Sequence, residues 1–87
     1  MEQIPLFPIE ARLTRIDAAR NAWRFYEMSV QRDLFGGAVL MRRWGRIGTA
    51  GRLRLDLYAN EGAAANALDR LLRFKVRRGY RWAGVVA

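Results

Sequence analysis

The sequence has no cysteine and no histidine, and Ser29 is its only serine. Without cysteine there is no disulfide framework, no thiolate ligand and no thiol nucleophile. Without histidine the usual general base and the commonest metal ligand are gone, and a Ser-His-Asp triad cannot be assembled. Lysine is nearly absent too, since Lys75 stands alone beside fifteen arginines. Apolar runs stop at four or five residues, far below the roughly 20 needed to cross a bilayer as a helix. The opening Met-Glu-Gln-Ile-Pro carries an acid where a signal peptide carries basic charge. The acids Glu27, Asp33, Asp56 and Asp69 show no paired spacing for metal binding or acid–base work, and read as solvated groups or arginine partners. These exclusions lead to the expectation of a cytoplasmic, non-enzymatic module that uses no cofactor, no metal and no membrane.

What is present is positive charge on a folded frame. Sixteen Lys and Arg face eight Asp and Glu, for a formal charge of +8 on 87 residues. The 52% hydrophobic and 11% aromatic content is that of a folded chain and not of a basic disordered tail. A chain this short has room for one core, and hides only about 60–65% of its unfolded surface. The excess of arginine over lysine follows from GC-rich coding as readily as from function, so position carries more information than number. Arg42, Arg43, Arg46, Arg52 and Arg54 fall within thirteen residues with no acid among them, and guanidinium forks suit phosphate.

Along the chain, residues 1–9 contain both prolines, Pro5 and Pro8, and read as an extended lead-in to a single domain over residues 10–87. Residues 10–16 read as a strand. Residues 23–31 alternate, with Arg24, Tyr26, Met28 and Val30 on one face and Trp23, Phe25, Glu27 and Ser29 on the other. Residues 32–37, ending in Gly36 and Gly37, read as a hairpin turn. A third strand over 38–47 alternates Val39, Met41, Gly45 and Ile47 against Leu40, Arg42, Trp44 and Arg46. Gly48-Thr49-Ala50-Gly51 reads as a tight turn, because it lacks the Gly-Lys-Ser/Thr ending of a phosphate loop. Residues 52–58 follow, with Leu53, Leu55 and Leu57 expected inward and Arg52, Arg54, Asp56 and Tyr58 outward.

The period then changes. Asn60 is a candidate N-cap, and Ala64, Leu68, Leu71, Leu72 and Val76 form one apolar stripe of a helix that Gly79 ends. Arg70, Arg73, Lys75, Arg77 and Arg78 read as a solvated face and dipole cap, with a second phosphate contact as the alternative. A last strand is expected over residues 80–86. The order is β-β-β-β-α-β, an α+β fold in which a small twisted antiparallel sheet of four to five strands carries one helix across one face. One helix of about 18 residues, about 27 Å long, leaves the opposite face to solvent or a partner. The leucine parity of 52–58 predicts that this open face holds Arg52, Arg54 and Tyr58, joined by Arg42, Trp44 and Arg46.

The stretch Arg42-Arg43-Trp44-Gly45-Arg46-Ile47-Gly48-Thr49-Ala50-Gly51-Arg52 resembles the WGR domain, found in poly(ADP-ribose) polymerases and in stand-alone or fused bacterial proteins. Asn21 followed by Phe25-Tyr26, and the helix ending in Lys75 and then Gly79-Tyr80, extend the resemblance over roughly residues 11–80. The resemblance implies the same fold and a role in DNA binding at strand breaks. It implies Trp44 as a group that packs on a sugar near a strand end, Arg46 as a bridging cation, Gly45 as a point of close backbone approach, and Arg24 as a phosphate contact. It does not extend to ADP-ribosylation, because the 87 residues hold none of the polymerase catalytic machinery.

The expected function is binding of nucleic acid, DNA before RNA, with little base specificity and a preference for ends or nicks. The expected contacts are Arg24, Arg42, Arg43, Arg46, Arg52 and Arg54 with Trp44 and Gly45. For Trp44 the competing reading is a half-buried tryptophan that only stabilises its sheet. The alternative function is docking on a separate protein of DNA metabolism, or homodimerisation, for which Trp23 and Phe25 on the open face are the motive.

Overall fold

The computed structural model describes residues 9–83. Strands β1 (Glu10–Asp17), β2 (Ala22–Arg32), β3 (Ala38–Arg46) and β4 (Arg52–Tyr58) precede a helix, α1 (Glu61–Arg77), and a two-residue strand, β5 (Arg81–Trp82). The strands form one antiparallel sheet in the order β4-β3-β2-β1-β5, so the expected α+β architecture is the one found. Residues 1–8 of the lead-in expected over 1–9 and the end of the expected last strand, residues 84–86, lie outside the described residues.

Local chemistry sets the turns. Between β1 and β2 a single 3-10 turn, Ala18–Arg20, ends at Asn21 with φ of 53°, a left-handed conformation that asparagine tolerates better than most residues. Between β2 and β3 the Asp33 carboxylate accepts the N–H groups of Phe35 and Gly37 at 2.7 and 2.9 Å. Only Gly36 of the two turn glycines takes a positive φ. The β3–β4 turn uses positive φ at both Gly48 and Gly51, as a tight turn requires.

The helix begins where the Asn60 side chain accepts the Ala63 N–H at 2.8 Å, an N-cap worth about 1 kcal/mol. It ends in a Schellman motif: the Gly79 N–H donates to the Val76 carbonyl at 3.1 Å and the Tyr80 N–H to the Lys75 carbonyl at 3.0 Å. Gly79 takes φ of 97° there, which folds Tyr80 back beside the last turn. Ala64, Ala67, Leu68 and Leu72 are the buried helix positions. Leu71 is partly buried against the core, whereas Val76, expected in the stripe, is exposed.

The core lies between α1 and one sheet face, where Ala11, Leu13, Tyr26, Met28 and Leu40 meet Ala67, Leu68 and Leu72. Each fully buried leucine or methionine contributes about 1.5–3 kcal/mol. Register then overturns one expectation. Tyr58 lies opposite the buried Ala38, Asp56 opposite the buried Leu40, Arg54 opposite Arg42 and Arg52 opposite Trp44. Arg52, Arg54, Asp56 and Tyr58 therefore share the helix-bearing face, and Leu53, Leu55 and Leu57 face the open side at 59, 55 and 80% exposure. β4 is an edge strand, and a single helix centred on the inner strands offers it little apolar cover. Its helix-side positions instead supply the carboxylate that neutralises Arg42. Arg42, Trp44 and Arg46 accordingly lie under the helix-bearing face and not, as expected, on the open one.

Candidate nucleic-acid interface

The five arginines of residues 42–54 are dispersed by the sheet. Arg43 points to the open face, where Glu27 on β2 accepts from it at 3.0 Å, the Ala50 carbonyl at 3.2 Å, and the Phe25 ring lies 5.1 Å from its guanidinium carbon. On the other face Asp56 is shared, accepting from Arg42 at 2.7 Å and from Arg54 at 2.9 Å. Burial works to raise the Asp56 pKa, but the hydrogen bonds from Arg54 and Arg42 and their charges outweigh it and hold the carboxyl below its ordinary value. The absence of acids within residues 42–54 thus says nothing about acids brought in from neighbouring strands. Arg52 is exposed, with no ion pair among the described residues.

Arg46 is placed differently. Its guanidinium donates to the Asn21 backbone carbonyl at 3.3 Å and to the Asn21 side-chain oxygen at 3.2 Å. Asn21 therefore does two things, adopting the left-handed turn and fixing the arginine with neutral acceptors. No carboxylate pairs with Arg46 among the described residues. Arg24 lies opposite Arg46 in the β2–β3 register, on the same face.

Beside these cations an aromatic group is built around Tyr26. Trp44 stacks on Tyr26 with ring centroids 5.9 Å apart and planes inclined by 22°, and Tyr80 meets Tyr26 edge-on at 6.3 Å. The Lys75 ammonium sits 4.5 Å from the Tyr26 ring centre and 5.3 Å from that of Tyr80, an arrangement worth about 0.5–2 kcal/mol. Burial first, and then the charges of Arg78, Arg42 and Arg24, push the Lys75 pKa below its ordinary value. An anion arriving here relieves that repulsion.

Trp44, Arg46, Arg24, Arg20, Asn21, Lys75 and Tyr80 line one open pocket of about 540 Å³, with Ala22, Trp23 and Gly45 completing its wall. Among the described residues, four cations and no carboxylate line it. Of the residues expected at the interface, Trp44, Gly45, Arg46 and Arg24 come together here. Arg42 and Arg54 line a neighbouring cleft, and Arg43 is on the opposite face. Gly45 also has an internal reason to be glycine: a Cβ there would stand 2.8 Å from the Gly51 Cα, so the β3–β4 turn needs the space. Lys75 and Tyr80 were legible only as family marks, and nothing in the helical periodicity separates Lys75 from the solvated arginines around it. Among the described residues no group of acids could hold a metal, and no helix is long and apolar enough to cross a membrane.

A five-stranded antiparallel sheet crossed by one helix, with Trp-Gly-Arg at the end of β3 opening into a cationic pocket, defines a small binding-type domain. The chain belongs to the WGR domain family, whose family model matches residues 9–85. That membership places it among nucleic-acid-binding or polymerase-associated modules in general. It is similar to a protein of Sinorhizobium fredii named "Uncharacterized protein y4dW", at 42% identity over 74 residues, which cover 85% of this chain and 36% of that protein. The chain thus spans about a third of the length of this curated relative. No solved structure matches it significantly.

Proposed function

We propose that the protein is a non-enzymatic DNA-binding module of the cytoplasm that holds the sugar–phosphate end of a strand in the Trp44 pocket, with little regard to base. The observation that carries this reading is the acid-free lining, in which Arg20, Arg24, Arg46 and Lys75 surround Trp44 and Tyr80. Arg24, Arg46 and Lys75 neutralise phosphate, and Trp44, stiffened by its stack on Tyr26, packs on the sugar. Such aromatic packing is worth about 1–3 kcal/mol and tolerates any base. Arg52, opposite Trp44 on β4, adds a cation at the rim.

Labelled linear, nicked and closed-circular DNA, titrated at two salt concentrations, tests the reading. Linear and nicked DNA are expected to bind more tightly than closed circles, and Trp44→Ala and Arg46→Ala to remove the difference. Equal affinity for all three forms, or unchanged binding in both variants, rejects it. Competition with single-stranded RNA decides between the two nucleic acids.

A second reading, docking on a separate protein or on another copy, draws on the exposed Leu53, Leu55 and Leu57. Sedimentation of the nucleic-acid-free protein separates this from the first reading. Self-association abolished by Leu55→Thr favours docking between copies, and a monomer at all concentrations rejects it.

A further inference from the structure

Most of the helix cations do not enter the Trp44 pocket. On the other side of α1, between the helix and β4, lies an open cleft of about 580 Å³. Arg42 and Arg54 reach it from the sheet, and Arg70, Arg73 and Arg77 from the helix. Spacings of three and four residues put the helical arginines in one line along the axis, and Arg70 and Arg77 stand about 10 Å apart. Among the described residues Asp56 is the only carboxylate in the lining, and it is already engaged by Arg42 and Arg54. Arg73 is paired with Asp69 at 3.0 Å. Arg70 and Arg77 have no ion pair among the described residues. The Arg42 Nε is buried with no hydrogen-bond partner.

The floor is not polar. Tyr58, Leu71 and Phe74 contribute ring and aliphatic surface between the guanidiniums. A ligand that fits must be long, repeatedly anionic and partly apolar or planar, which describes a nucleic-acid strand better than an acidic peptide. Strand β3 contributes to both the cleft and the Trp44 pocket. Arg42 of the cleft and Trp44 of the pocket share one face of β3, two residues and about 7 Å apart along the strand.

We propose that the cleft between β4 and α1 is a second phosphate-binding subsite, which holds the backbone of a nucleic-acid strand beyond the end seated at Trp44. The proposal rests on the reading of the Trp44 pocket for its direction, but on Arg70 and Arg77 for its energy. It gives the arginines of the helix a ligand and makes affinity grow with strand length.

The test compares a phosphate-ended dinucleotide with a long single strand, each titrated across a salt series against the wild-type protein, Arg70→Gln/Arg77→Gln, Arg70→Lys/Arg77→Lys and Trp44→Ala. Glutamine and lysine both keep good helix propensity, so folding is preserved. The glutamine double variant is expected to bind the dinucleotide as wild type does, to bind the long strand at least tenfold more weakly, and to show a salt slope shallower by about 1.4, for two phosphates lost on a single strand. The lysine variant is expected to retain the slope. An unchanged slope in the glutamine variant overturns the proposal, as does competition by polyglutamate as effective as that of a second long strand. If Trp44→Ala leaves dinucleotide binding intact while the glutamine variant loses slope, the terminal-pocket reading fails and the cleft stands.

Discussion

The two faces of the sheet use the same strand, β3, in opposite ways. Arg43 and Arg42 are neighbours in sequence, yet one is fastened flat on the open face by Glu27, the Ala50 carbonyl and the Phe25 ring, while the other is held under the helix side by Asp56. Neither stands free to meet a phosphate as an isolated cation does. Three residues beyond Arg43, Arg46 is oriented by the neutral oxygens of Asn21 and keeps its full charge. The difference teaches that a guanidinium is made available by what orients it. A carboxylate partner consumes the charge, whereas an amide or carbonyl partner positions it and leaves it in place.

The contrast between faces can be broken most forcefully through its apolar side chains. Leu40→Ala, at a fully buried position facing the helix, is expected to lower stability by about 2–5 kcal/mol. Leu57→Thr on the open face is expected to change it by no more than about 0.5 kcal/mol. Urea unfolding of the two variants measures both, and equal losses would show that the open face is covered after all.

A smaller effect is expected at the shared carboxylate. Asp56→Asn leaves Arg42, whose side chain is only 15% exposed, without its charged partner, at a cost of about 1–3 kcal/mol near neutral pH. The folded pKa of Asp56 lies below its ordinary 3.8, so its contribution is complete above that value and is lost as pH falls through the lowered one. The gap between wild type and Asp56→Asn therefore closes in strong acid, and a gap that persists there would assign the loss to shape and not to charge. The smallest effect separates the two faces by ligand. Arg24→Gln is expected to make the salt slope for duplex DNA shallower by about 0.9, one phosphate contact, while Arg43→Gln leaves it unchanged. A matching loss in Arg43→Gln would move the interface to the open face.

Much of the frame is legible in the amino-acid sequence. The alternation of residues 52–58 marks β4 over the same bounds as observed, and Asn60 and Gly79 mark the helix ends through capping chemistry alone. Trp44, Arg46 and Arg24 are legible as a group only through the family motif, because the expected parities set Arg24 on the face opposite Trp23 and Phe25 and so apart from Trp44 and Arg46, and it is the β2–β3 register that joins them. The inward face of β4 was not. Alternation separates two sides of a strand without saying which one meets the core, and the usual rule that leucines go inward assumes cover that an edge strand beside one helix does not have. The pairs Glu27–Arg43 and Asp56–Arg42 were hidden for a related reason, since they join residues sixteen and fourteen positions apart that only strand register brings together. Lys75 was hidden because a cation near a helix C-terminus already has a sufficient explanation in the dipole.

The Schellman turn at Gly79 ties the pocket to the end of α1 in a way that runs in both directions. Lys75 lends its carbonyl to the cap and its ammonium to the pocket, and Tyr80 lends its N–H to the cap and its ring to the pocket. Unwinding the last helical turn therefore dismantles part of the pocket wall, and any ligand that binds there as proposed must, by the same amount of free energy, oppose the unwinding. The fraying of a helix terminus and the occupancy of a site are here two readings of one equilibrium.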